Sequence, residues 1–138
     1  MTNFPLHPRL AAGSYLLGRT AGCLVLLKDN ASFPWLLIVP EVAEELEDLH
    51  QLEPGRYAEV MALVRSVSVF VSGYFQPDKL NVACIGNQVR QMHIHVVGRR
   101  ESDAAWPGTV WASSFRTAWD APRVAEIREA ARMALGLE

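Results

Sequence analysis

Apolar residues along this chain fall into blocks of two kinds, and each kind predicts a different element. Cys23 to Leu27 is a short run rich in branched side chains, closed by Lys28-Asp29-Asn30, which reads as a strand followed by a turn. Trp35-Leu36-Leu37-Ile38-Val39 reads as a second buried strand stopped by Pro40, and the short loop before it makes the two antiparallel neighbours. Val42, Leu46 and Leu49 recur at helical spacing over a short amphipathic stretch. A longer helix is predicted from Pro54 to Phe75, with Tyr57, Val60, Met61, Val64, Val67, Phe70, Val71 and Tyr74 on one stripe; Pro54 suits its first turn, and Gly73 with Pro77 marks its end. The valines favour strand locally, but the 3.6-residue period of the stripe is the stronger signal.

Leu80 to Ile85 is again strand-like, and Gly86-Asn87 breaks it. Gln91 to Val97 then alternates: Met92, Ile94 and Val96 point one way, Gln91, His93, His95 and Val97 the other. Trp106-Pro107-Gly108 and Trp111 fall in a loop. Asp120 is placed to cap a last helix carrying Val124, Ile127, Ala131 and Leu135. The segment from Leu10 to Leu17 reads as a short strand or an arm. The order is two strands, helix, two strands, helix, an α+β arrangement with the long helix across a mostly antiparallel sheet. Nothing divides the chain, so residues 1–138 read as a single domain, the core over about 15–100 and a C-terminal loop and helix over 101–138.

Half the residues are hydrophobic and 20% are charged, which excludes a disordered chain, and a net charge of -2 with no basic cluster argues against a nucleic-acid binder. Cys23 and Cys84 sit in apolar surroundings with no basic neighbour in sequence, as expected of free packing thiols. No signal-peptide core and no apolar run of membrane-spanning length is present, so the expected location is the cytoplasm.

His93 and His95 focus the chemistry. Residues two apart on a strand stand roughly 6–7 Å apart on one face, so both rings can address one ligand. A neutral imidazole is a competent nucleophile toward phosphorus near pH 7 without a metal, and a second can donate to a phosphoryl oxygen. Gly86 lets a phosphate approach the backbone, and Asn87 and Gln88 add amides beside it. Alternation sends Arg90 to the opposite face, while Arg99 and Arg100 add positive charge nearby. Two other readings of the pair stay open: plain polar-side alternation, and a metal site, although His7 and His50 offer no ligand spacing to complete one. Trp106 and Trp111 suit a ligand cleft, a subunit contact or packing under a loop.

The stretch from Asn81 to Arg99, with Gln91-Met92-His93-Ile94-His95-Val96-Val97 at its centre, resembles the signature of the histidine triad (HIT) family, His-x-His-x-His followed by apolar residues. The likeness covers roughly residues 15–100 in element order, and Trp106-Pro107-Gly108 resembles the tail of a bacterial subgroup. The resemblance implies a HIT-like fold: a five-stranded antiparallel sheet with one long helix packed across it and a C-terminal helix, commonly a homodimer. It implies binding of a nucleotide small molecule, with cleavage of phosphoramidates, dinucleoside polyphosphates or adenylylated species, and no cofactor or metal. Carried over by position, His93 is the nucleophile, His95 the phosphate-side donor, Asp29 the ribose contact, Asn81 the asparagine before the loop, and Gly86, Asn87 and Gln88 the phosphate-binding group.

The departures lie around the nucleophile. Gln91 stands where the first histidine belongs; it can hold a neighbouring group by hydrogen bonds but cannot carry a proton at neutral pH. Pro40 is followed by Glu41-Val42-Ala43, with no histidine. Three function classes follow: a nucleotide hydrolase or transferase working through a nucleotidyl-histidine, a nucleotide-binding protein with little turnover, and an interaction protein using the Trp106 to Trp111 loop.

Overall fold

The computed structural model describes residues 3–138. Five strands, β1 (Ser14–Thr20), β2 (Cys23–Lys28), β3 (Trp35–Pro40), β4 (Lys79–Ala83) and β5 (Ile94–Arg99), form one antiparallel sheet in the order β1-β2-β3-β5-β4. β2 and β3 read as unbroken apolar runs because both of their faces are covered. On one face Cys23, Val25, Leu27, Leu36, Ile38, Ile94 and Val96 pack with helices α2 (Pro54–Phe75) and α3 (Ala121–Leu135). On the other, Leu24, Leu26, Trp35, Leu37, Val39 and Val97 pack with Phe33, Val89, Val110 and Leu10. Each fully buried Leu or Val on these faces contributes on the order of 1.5–3 kcal/mol.

The segment from Leu10 to Leu17, expected as a short strand or an arm, divides between the end of a helix and the start of a strand. Pro8–Ala12 is a short helix, α1, with Pro8 in its first turn and His7 as its cap, the imidazole Nδ1 accepting the Arg9 N–H at 3.1 Å. β1 follows as a third strand before the long helix. A register shift between Leu16 and Gly18 interrupts its alternation, which is why its period was not legible. The chain ends against this strand: Arg19 and Glu138 exchange backbone hydrogen bonds, and a Cβ on Gly18 would meet Leu137 Cβ at 2.6 Å.

Two other stretches differ from their expected bounds, while α2 keeps the Pro54–Phe75 expected of it. Residues 42–49 form turns and then one 3-10 turn at Leu49–Gln51, because the Gln51 side chain accepts the Glu47 and Asp48 N–H groups and ends the run. α2 continues through Gly73 to Phe75 and stops at Gln76 in the left-handed conformation. Its buried residues are Val60, Leu63, Val64, Val67, Phe70, Val71 and Phe75; Leu63 and Phe75 join the predicted stripe, and Tyr57 is exposed. β4 and β5 start and stop earlier or later than the pattern suggested, leaving 91–93 just ahead of β5. By length and composition α2 is also apolar enough to cross a membrane, contrary to the sequence expectation; its buried residues belong to the core under the sheet.

Both cysteines are free. Cys23 does have a basic neighbour in space, since Arg56 Nη2 lies 3.6 Å from its sulfur, yet burial pushes its thiol up in spite of that charge.

Candidate active site

The face of the sheet away from α2 carries a cavity of about 540 Å³, within the range of small-ligand sites. His95 stands in its floor on β5, between β3 and the edge strand β4, paired with Leu37 of β3 and Ala83 of β4, and alternation puts it on the same side as Trp35 and Val97. His93 lies just ahead of β5 where the loop from β4 returns. That loop turns at Gly86, whose φ of +66° suits glycine, and brings Gly86, Asn87 and Gln88 to the cavity wall.

The two imidazole rings are 4.8 Å apart, and each is fixed by a partner that can play only one hydrogen-bonding role. The Gln91 carbonyl sits 2.6 Å from His93 Nδ1; a carbonyl only accepts, so Nδ1 carries the proton and Nε2 keeps a free lone pair. The Trp35 indole N–H donates to His95 Nδ1 at 3.0 Å; an indole only donates, so the proton of His95 is on Nε2. Neighbouring rings therefore have opposite tautomers, one with a lone pair on Nε2 and one with a donor.

Electrostatics hold both rings neutral. Burial, then the charges of His93 and Lys28, bring His95 down to about 3. Burial also lowers His93, with Lys28 and His7 adding to that effect and the hydrogen bond to the Gln91 carbonyl opposing it. Lys28 is itself lowered, by burial first and then by Arg116 and Arg9, and its ammonium lies 5.6 Å from the Trp35 ring centroid. An NMR titration of the imidazole Cε1 protons should accordingly find His93 charging below the ordinary value of about 6.5 and His95 silent until near pH 3. In Trp35→Phe the neutral form of His95 loses its indole donor, so its midpoint should move up; an unmoved midpoint would mean that the indole does not fix the tautomer.

Of the residues singled out by sequence, His93, His95, Gly86, Asn87 and Gln88 line this cavity. The other three are outside its lining. The Asp29 carboxylate accepts the Trp119 N–H at 3.0 Å and lies 3.5 Å from Arg116 Nη2, tying down the C-terminal segment. Asn81 Oδ1 accepts from Arg99 Nη1 at 2.9 Å. Gln91 bonds to the backbone of Pro5 and His7. Arg90, in the loop ahead of β5, is exposed and pairs with Glu47.

Several lining residues escaped the sequence reading: Arg9, Lys28, Asn30, Trp35, Ser113 and Arg116. Lys28 was visible as the single cation closing an apolar strand. Arg9 and Arg116 reach the cavity from the two ends of the chain, and no local spacing could reveal them. Asn30 acts as a clasp, donating to the Phe115 carbonyl at 2.9 Å and accepting from Ser32 N at 3.1 Å and Thr117 N at 3.3 Å, so that residues 113–117 lie over the site. Trp111 stacks edge-on against His95 and Trp35, at 5.3 and 6.0 Å between centroids. Among the described residues no three His, Cys, Asp or Glu side chains converge as a metal site would need.

Known proteins share this fold. The chain is similar to a histidine triad protein from Bradyrhizobium japonicum, at 34% identity and a TM-score of 0.90 over 95% of this chain and 97% of that one. It is similar to one from Marinobacter aquaeolei VT8, at 32% identity and 0.91 over 96% of each chain. A third, from Sinorhizobium meliloti 1021, has 29% identity and a TM-score of 0.91 over 97% and 98%. No match was found among curated proteins. The HIT domain profile matches residues 11–102, a stretch that spans β1 to β5 and both imidazoles, and the chain therefore belongs to the HIT domain family.

Proposed function

We propose that this protein is a nucleotide hydrolase or transferase in which His93 takes the nucleotidyl group from an α-phosphate. The observation that supports this most is the pair of opposite tautomers at the cavity floor: a lone pair on His93 Nε2 next to an N–H donor on His95 Nε2. In this reading the His93 lone pair forms a P–N bond while the bond from phosphorus to the leaving group breaks and its electron pair departs with that group. The positive charge left on the modified ring is stabilised by its Nδ1–H bond to the Gln91 carbonyl. His95 and the backbone near Gly86 hold the non-bridging oxygens. Water then attacks phosphorus, the P–N electron pair returns to Nε2, and the water proton passes to solvent. Phosphoramidates, dinucleoside polyphosphates and adenylylated species are the substrate classes in view.

Homodimer assembly and a cytoplasmic setting belong to the same reading. The first is supported by β4, which forms one edge of the sheet and exposes Val82 by 46%.

A second reading, a nucleotide-binding protein with little turnover, is favoured by one feature: the side chain at position 91 is engaged with the chain's own backbone and offers no titratable group to the leaving group. Incubation with adenosine phosphoramidate and diadenosine triphosphate separates the two readings. Accumulating AMP is the expected result; AMP binding without product from any substrate of these classes would instead select the binding protein.

A further inference from the structure

The N-terminal arm engages the Gln91 carboxamide at both its oxygen and its nitrogen. Its Oε1 accepts the His7 N–H at 2.8 Å and its Nε2 donates to the Pro5 carbonyl at 3.0 Å. A neutral imidazole offers one donor and one acceptor that point in widely divergent directions, whereas an amide oxygen and its syn N–H point nearly the same way, so a histidine would not reproduce both bonds. The bonds seat His7, which caps α1, and α1 carries Arg9 and Leu10 into the cavity wall. There Arg9 Nη2 donates to Gln88 Oε1 at 3.2 Å. Among the described residues no carboxylate forms an ion pair with Arg9.

The charge of the cavity gives this arm a purpose. Arg9, Lys28 and Arg116 line it from three separate segments, both imidazoles are kept neutral by burial, and neither Asp nor Glu is in the lining. Arg116 lies 3.5 Å from the Asp29 carboxylate, and with Arg9 and Lys28 beside it the cavity still carries more positive charge than an α-phosphate requires. The nucleoside side of a nucleotide is uncharged, so any further phosphoryl group bonded beyond the α-phosphorus belongs to the leaving group.

We infer that the N-terminal arm is a specificity element: Gln91 seats it, and Arg9 binds an anionic phosphoryl group on the leaving-group side. The inference rests on the nucleotide reading of the site given above. It makes Gln91 a positioning residue that acts through Arg9, and it gives phosphoanhydrides an advantage over substrates with uncharged leaving groups. Arg9 turns from the Gln88 carboxamide to the incoming phosphoryl oxygens, exchanging a neutral acceptor for a charged one.

Calorimetric titration of the full chain with ADP and with AMP at one ionic strength tests this without relying on turnover. The protein should bind ADP about tenfold more tightly than AMP, as one charge-assisted contact allows. Arg9→Ala should bring the two affinities within about twofold of each other, and Arg9→Lys should keep part of the preference. Gln91→Ala should lose the preference as Arg9→Ala does, with faster amide hydrogen exchange over residues 3–9; so should Gln91→His, in spite of restoring a histidine. Equal affinity for ADP and AMP in the unaltered protein, or a preference that survives Arg9→Ala, would overturn the arm's role alone. Binding of neither nucleotide would overturn the reading of the site as well.

Discussion

Replacing His93 by alanine should remove turnover, by roughly 10³-fold or more, because the substitution deletes the atom that forms the P–N bond and no other lining side chain offers an equivalent lone pair. His95 cannot take over. Its Nδ1 is occupied by the Trp35 N–H, and its Nε2 carries the proton. The fold should persist, since His93 sits just ahead of β5 and its side chain makes one hydrogen bond, to a carbonyl two residues away. Steady-state AMP release with parallel circular dichroism checks both parts. Retained turnover in a folded His93→Ala protein would remove the nucleophile assignment, whereas loss of folding would move His93 from chemistry to structure.

The largest effect on stability is expected at Asp103. Its carboxylate takes the Arg99 guanidinium through two bonds, at 2.8 and 3.0 Å, and also accepts the backbone N–H groups of Arg100, Ala105 and Trp106. The Arg99 side chain is 1% exposed and that of Asp103 7%. The guanidinium is enclosed further by the rings of Phe33 and Trp106, at 5.6 and 5.5 Å. Asp103→Ala would leave that buried charge with Asn81 as its remaining hydrogen-bond partner, at a cost of about 3–5 kcal/mol. The melting temperature should fall by roughly 10–20 °C.

The same group sets an acid limit. Burial acts to raise the Asp103 carboxyl, but the Arg99 bonds and the three backbone donors prevail and hold it at about 2. A carboxylate with a depressed folded value contributes stability that is complete above its unfolded value near 3.9 and is lost as pH falls through about 2. Denaturant midpoints measured between pH 5 and pH 2 should therefore fall for the unaltered chain and stay flatter for Asp103→Ala. Parallel curves for the two proteins would contradict the account of this cluster.

What could be read from sequence follows how locally each feature is encoded. The strands β2 and β3 and the helices α2 and α3 announce themselves through apolar runs, a 3.6-residue period, Pro54 and Asp120, all within one element. The placement of His93 and His95 side by side needed only the two-residue period of a strand, and the rings are together even though β5 begins one residue after His93. β1 was obscured by its register shift, and α1 by its five-residue length, too short for any period. In the site, the residues not anticipated belong to contacts between distant segments: Gln91 with Pro5 and His7, Arg9 with Gln88, Asn30 with Phe115 and Thr117. Asp29 and Asn81, brought forward by position in a family pattern, have side chains engaged with Trp119 and Arg99 outside the cavity. Spacing along one strand carries no information on such partners.

The most direct measurement is intact-protein mass spectrometry after rapid mixing with adenosine phosphoramidate, followed by peptide mapping under alkaline conditions that preserve a phosphorus–nitrogen bond. The account predicts a transient mass increase of one adenylyl group on the peptide containing His93, absent from His93→Ala, with AMP appearing as the adduct decays. AMP formed with no adduct on any time scale, or an adduct on another residue, would contradict it.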